Sequence, residues 1–334
     1  SDFQAKFGDA FLAGTDSVQF LTSHAAEEYL KHSDTLTVVR IMAAGGAAIG
    51  PASTTITASL SATAGLAASA SFTLETLSDG TIMNNFESGV LTNNVLTNGS
   101  KHNIRYEVTS RNNKKGTFSL SIRAGNDNEK RKQTLETFNN LTLDPNSPNF
   151  ISKVVGDQVQ TVKTEGSTKY LQLTGSYPNA SRFVRVKSVD QTTVNYLDEN
   201  GTIRLNSLSG SLPALGSGSF NGGFAGGADG HSGFNAAGTQ GGNSGITAAF
   251  YESIGATNSQ GFNPTAAADG LDAYTEALDL LANQDEFDVN LILMPGIIDS
   301  IHPAVSAKAI DVCESRGDCF TILDPVAYGS TLTA

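Results

Sequence analysis

The chain has 334 residues, enough for two or three cores, and its 39% hydrophobic and 16% charged residues describe an ordinary globular protein. No apolar run reaches the length of a membrane-spanning helix. The net charge of -12 is concentrated in residues 232–334, where 13 Asp or Glu stand against 2 Lys or Arg; this third lacks the clustered cations that phosphate binding requires, which argues against nucleic acid as its partner.

The opening "SDFQAKFGD" has neither a Met nor a signal-peptide pattern and reads as a processed or truncated piece. Within residues 1–44, "AAEEYLKHSD" predicts a short helix with Ala25, Ala26, Tyr29 and Leu30 on one side, and "TLTVVRIMAA" after it predicts a strand. From 45 to 215 the composition turns to Ser, Thr, Gly, Asn and β-branched residues. There "NIRYEVTS", "TFSLSIRAG", "SKVVGDQVQTVK", "KYLQLTG" and "RFVRVKSVD" read as short strands between turn signals such as "NNKKG" and "SYPN". The basic "EKRKQ" at 129–133 is read as a solvated loop. "DENG" at 198–201 looks like the middle of a calcium loop, but Tyr196 stands where an earlier carboxylate is needed and the closing Glu is missing. Sequons at Asn98, Asn140, Asn179 and Asn200 are expected by chance in a chain this rich in Asn, Ser and Thr.

Residues 216–245 are Gly-rich and are read as a flexible linker, because no strand, glycine loop and helix follow in phosphate-binding order. The final stretch, 246–334, is the most regular. "DGLDAYTEALDLLAN" predicts an amphipathic helix with Leu271, Tyr274, Leu278 and Leu281 in one stripe, Asp272, Glu276 and Asp279 toward water, and Asp269 as cap. "DVNLILMPG" predicts a strand buried on both faces and ended by Pro295-Gly296. "HPAVSAKAIDVCESR" predicts a second helix, with Gly317 at its left-handed end and Arg316 complementing its dipole, before the buried strand "CFTILD". Arg316-Gly317-Asp318 has the form of an adhesion tripeptide, yet its place between two packed elements makes it punctuation of the fold. Cys313 and Cys319, which flank it, are too few for a disulfide framework, and a reduced compartment is expected.

These elements predict an α+β multidomain chain: an α/β layered domain interrupted by a large β-rich insertion. Ligands of an open parallel sheet bind at the carboxyl ends of its strands, which would bring Asp324, the Pro295-Gly296 loop, His302 and Asp229 together. No fixed spacing unites them, and no nucleophile elbow, HExxH, CxxC or P-loop is present, so no enzyme and no cofactor or metal is expected.

In order along the chain, "DFQAKFGDA" with "AAEEYLKHSDTLTVVRIMA", "NIRYEV" through "LETFNNLTLDPNSPNFISKVVGD", "GGADG", and "YTEALDLLANQDEFDVNLILMPGI" with "CESRGDCFTILDP" resemble the tail sheath protein of contractile-tailed bacteriophages. The final Asp324-Pro325 departs from that family's Asp-x-Pro-like ending by lacking the intervening residue. The resemblance implies a non-enzymatic structural subunit that stacks as hexameric rings around a tail tube and contracts to drive the tube through a bacterial envelope. The implied location is the virion tail, assembled in the host cytoplasm. The implied partners are other sheath subunits, the tube protein and the baseplate, with no nucleic acid and no membrane insertion. The family's N-terminal arm would lie upstream of Ser1 and its C-terminal domain beyond Ala334, leaving this piece monomeric. Candidate contacts between subunits are Asp272, Glu276, Asp279, Asp285, Glu286 and Asp288. A sheath from a phage-derived bacterial machine of bacteriocin or secretion type has the same pattern; a surface adhesin module is the alternative from another class.

Overall fold

The computed structural model describes residues 3, 21–42, 49–59, 70–80, 103–218, 222–229, 254–257, 259, 263–267, 270–327 and 329–330. Within them the chain is α+β, with short helices and several small sheets. It falls into two compact units, one from Gly50–Val159 and Leu173–Ala228, the other from Ser1–Ile49, Gln160–Gln172 and Asp229–Ala334.

The first unit is built on two antiparallel sheets. Strands β1 (Ile49–Thr57), β2 (Ala70–Asp79), β8 (Val184–Val189) and the two-residue β9 (Ala228–Asp229) run in the order β8-β2-β1-β9. Strands β3 (Ile104–Asn112), β4 (Thr117–Ala124) and β5 (Thr134–Leu141) form the other sheet in chain order. Alternation in the sequence sets the faces. Tyr106, Val108, Phe118, Leu120 and Ile122 join Phe72, Leu74 and Val184 in one core, where the Phe72 and Phe118 rings stack at 5.5 Å between centroids. Burying each such side chain stabilises the fold by about 1.5–3 kcal/mol.

The other face of β3 and β4 should meet water, but it is buried too. Register puts Arg105 directly opposite Arg123, a like-charge pair that destabilises a sheet unless neutralised. Asp127 neutralises it. Its carboxylate takes Arg123 Nε at 2.7 Å and Nη2 at 3.0 Å and also pairs with Arg105 Nη2, which donates further to the Asp127 carbonyl at 3.1 Å. Glu107 accepts Arg123 Nη1 and Lys132 Nζ, both at 2.7 Å. Lys132 of "EKRKQ" closes this cluster from the solvent side, while Lys130, Arg131 and Gln133 are exposed as expected of a solvated loop.

Two readings of this region need correction. "SKVVGDQVQTVK" is not one strand: Ile151–Val155 form helix α2, and Gly156, at φ 106°, breaks it before β6 (Val159–Glu165). The described part of the Gly-rich stretch is packed. The amide of Tyr106 donates to Gly222 and that of Val108 to Ser217, while Ala225 exchanges hydrogen bonds with Ser53. This segment covers open edges of β3 and β1, and Phe224 is fully buried beside Tyr106. Glycine is required for that approach, because a Cβ at Gly222 would lie 2.3 Å from the Tyr106 carbonyl oxygen. Residues 230–245 lie outside the described residues. Between these elements, Asn206–Ser211 form the short helix α3.

The second unit draws on three separate pieces of chain. Helix α1 (Leu21–Leu30) comes first, then the hairpin of β6 and β7 (Thr168–Thr174), then α4 (Leu271–Leu281), β10 (Leu291–Ile298), α5 (Pro303–Arg316) and β11 (Phe320–Asp324). Residues 35–42, expected as a strand, pair with no ladder: β-branched residues favour extended backbone, but a strand exists only with a partner. Asp269 lies outside the described residues, and Gly270 occupies the start of α4 without a side-chain cap. β10 and β11 pair in parallel with Leu291 opposite Phe320 and Leu293 opposite Ile322. β10 does not stop at Pro295-Gly296. The register shifts there, Gly296 at φ 94° absorbs the irregularity, and the strand continues to Ile298. Leu278, Ile292, Ile297, Val305, Ala309 and Val312 form the core on one face of this pair. The opposite face is open, with Leu293, Phe320 and Ile322 41%, 61% and 53% exposed, so these strands are not buried on both faces as expected.

The Asp127 cluster sets a measurable hierarchy. Asp127→Ala leaves the buried Arg105 guanidinium without its carboxylate and Arg123 with Glu107 in place of a bidentate partner, and is expected to cost about 3–5 kcal/mol in urea unfolding. Lys187→Ala, which removes a half-exposed partner of Glu75, should cost at most about 1 kcal/mol. Equal losses would contradict the neutralising role of Asp127.

Candidate functional site

Arg316-Gly317-Asp318 is the sharpest motif in the sequence, and its geometry is that of a structural knot. Helix α5 ends at Arg316 because Gly317 adopts φ 71°, ψ 0°, and its amide closes on the Cys313 carbonyl at 2.9 Å. The Arg316 side chain is 1% exposed. Its Nε and Nη2 grip the two carboxylate oxygens of Asp318, each at 2.9 Å; Nη1 donates to Leu281 O at 2.5 Å and Nη2 to Phe287 O at 3.0 Å. Gln284 Nε2 donates to the Arg316 carbonyl at 2.6 Å. The hydrogen bonds from Arg316 hold the Asp318 carboxyl below its usual range. An adhesion tripeptide presents its cation and anion outward to a receptor; here they satisfy one another and the chain.

The six acidic residues proposed as interface candidates divide. Glu276 pairs with Lys169 Nζ at 3.0 Å, Asp279 with Lys308 Nζ at 2.5 Å, and Glu286 accepts the Leu171 amide on both oxygens at 3.1 and 3.2 Å. Together with Asn283, whose side-chain amide reaches the Lys169 carbonyl at 3.2 Å, Glu276 and Glu286 clamp the β6–β7 hairpin onto the end of α4. Asp272, Asp285 and Asp288 are exposed. No sequence signal announces the clamp, because Lys169 and Glu276 are 107 positions apart.

Of the residues expected at the carboxyl end of the parallel strands, the His302 side chain is tied to the backbone and Asp324 is exposed. His302 is buried; its Nδ1 accepts the Ile298 amide at 3.1 Å, which places the proton on Nε2, the donor to Gly255 O at 3.0 Å. Both ring nitrogens are thus consumed, and burial holds the imidazole pKa below its ordinary value. The Asp324 carbonyl accepts the Asp299 amide at 2.8 Å, while Ser259 Oγ donates to Gly296 O at 2.6 Å. Asp229 ends β9, and its side chain lies outside the described residues. Among the described residues, no three His, Cys, Asp or Glu side chains converge as a metal site.

One cleft of about 170 Å³ runs beside β10, lined by Thr22, Val39, Ile41, Tyr274, Leu278 and Met294 among others. Its walls are mainly apolar and carry no pair of acid and base. Among the described residues, this unit exposes the apolar strand face of Leu293, Phe320 and Ile322 and the carboxylates Asp272, Asp285 and Asp288. Among the described residues no helix is long and apolar enough to cross a membrane. Comparison with protein-family models, with curated proteins and with solved structures returns no match in any of the three.

Three outcomes follow from these contacts. Arg316→Ala strands the carbonyls of Leu281 and Phe287 and is expected to cost about 3 kcal/mol, read as a lower urea midpoint. Asp318→Ala should cost less and leave cell attachment unchanged; attachment that depends on Asp318 would restore the adhesion reading. For His302, the unfolded chain takes a proton first as pH falls below about 6.5, so the stability is present above that pH and is lost as pH falls toward the depressed folded value. The melting temperature should therefore drop between about pH 7.5 and about pH 5.5, and His302→Gln should flatten that dependence.

Proposed function

We propose that this chain is a structural subunit of a contractile tail sheath, a protein that stacks in hexameric rings around a tail tube and drives it through a bacterial envelope by contracting. The observation that carries the reading is the shared order of sheath-like segments along the chain, from "DFQAKFGDA" to "CFTILDP". The geometry is compatible with it in three respects. In this reading the helix-strand-helix-strand run of α4, β10, α5 and β11 is the core of an α/β layered domain, and the β-rich middle is an insertion into it, projecting outward from the lattice. The open apolar face of β10 and β11 suits a subunit that completes its packing against neighbours. The sharpest sites of other classes are closed, since Arg316 is buried and the His302 ring is spent on backbone groups.

In such a lattice Asp272, Asp285 and Asp288 are the carboxylates still available for contacts between subunits; Glu276, Asp279 and Glu286 already serve the subunit itself. Contraction would draw on a metastable extended arrangement whose interfaces re-form in a second one, with no nucleotide hydrolysed. The partners are further copies of the subunit, the tube protein and the baseplate, and the location is the virion tail, or the equivalent part of a phage-derived bacterial machine.

Negative-stain electron microscopy of the protein made by the complete gene tests this reading. Striated hollow cylinders are the expected result. Discrete particles at micromolar concentration that never polymerise, alone or with the tube protein, would overturn it.

A further inference from the structure

Two thiols flank the Arg316 knot. Cys313 is buried in the last turn of α5, and Cys319, half-buried, stands immediately before β11; both are free. Their sulfurs face each other at 3.3 Å across the Gly317 turn. A disulfide needs the pair at about 2.05 Å, so closure asks for a movement of roughly one ångström. The turn between them is held on both sides, by Gly317 and by the bidentate grip of Arg316 on Asp318.

We propose that Cys313 and Cys319 form a thiol–disulfide exchange site that low-molecular-weight disulfides such as oxidised glutathione close into an intramolecular bridge, latching the Arg316 turn. Attack begins at Cys319. It is the more accessible sulfur and interacts with the Arg316 guanidinium, whereas burial first, and the neighbouring thiol second, push Cys313 up to about 12. The Cys319 thiolate attacks one sulfur of the small disulfide, whose S–S bond breaks and releases one thiolate. The released thiolate, now a base, takes the Cys313 proton. Cys313 sulfur then displaces the second small thiol from Cys319. Two protein thiols are oxidised by two electrons and one small disulfide is reduced to two thiols. With its partner sulfur in van der Waals contact, the mixed disulfide on Cys319 is resolved faster than a second small thiol can collect.

The oxidised ring encloses Arg316, Gly317 and Asp318, so the end of α5 cannot peel away from the start of β11. The consequence is a latch that is open in a reducing compartment and closed outside it.

The test uses the native protein incubated with excess oxidised glutathione, quenched by alkylation and read by intact mass and peptide mapping. Wild type should lose two hydrogens, retain no glutathione, and show a higher urea midpoint that returns to its starting value with dithiothreitol. Cys313→Ser should hold one glutathione on Cys319, and Cys319→Ser should react at least about tenfold more slowly. Accumulated glutathione adducts on the wild type, a bridge that forms only in urea, or an unchanged midpoint after bridging would each overturn the proposal.

Discussion

The last piece of the second unit, from the end of α4 to the turn before β11, is tied together by one buried guanidinium. Taking a cation out of water costs several kcal/mol, and Arg316 recovers that cost only because its planar fork finds the Asp318 carboxylate and the carbonyls of Leu281 and Phe287 together. Those partners belong to the end of α4, the segment leading to β10, and the turn after α5. A single side chain thus fixes where one helix stops, where the next strand starts and where the last helix turns back. Lysine, a point charge without the fork, could not bind the two carboxylate oxygens and the separate carbonyls in that geometry. In the first unit Asp127 plays the reciprocal part, one carboxylate between two arginines that the sheet register forces face to face.

Local physics made much of this legible in advance. The stripe of Leu271, Tyr274, Leu278 and Leu281 predicts α4, and the Gly317 position predicts the end of α5, because helix periodicity and left-handed capping are encoded within a few residues. What escaped was set by partners far away in sequence. "TLTVVRIMAA" has the composition of a strand but no ladder over its described part, and "SKVV" prefers to cap the β-rich core as a helical turn. The glycines at 216–226 look like a linker to any composition argument. Their hydrogen bonding along the strand edges at Tyr106, Val108 and Ser53 is visible only once the sheets exist. The same holds for the acidic candidates: charge alone cannot separate Glu286, which holds the Leu171 amide, from the exposed Asp285 beside it.

These observations bear on function chiefly by what they leave available. The residues with the strongest chemical associations, Arg316, Asp318 and His302, are consumed in building the unit. Among the described residues of this unit, one face of the β10–β11 pair and the carboxylates Asp272, Asp285 and Asp288 stay exposed, as a surface for contacts would be. That distribution agrees with the proposed sheath role, in which the subunit is a building block and its work is done by changing neighbours. The dithiol at the Arg316 turn adds a means by which such a block could be held more firmly after leaving a reducing cell.

Three separate chain pieces make one cooperative unit, its last piece tied by Arg316 and the β6–β7 hairpin held to that piece by Glu276, Asn283 and Glu286. Native-state hydrogen exchange in increasing denaturant, read by mass spectrometry, tests it most directly. The account predicts that the amides of 160–172, 271–281 and 303–316 lose protection at one common denaturant concentration, distinct from that of 104–141. Exchange of 160–172 together with 104–141, while 271–316 stays protected, would contradict it.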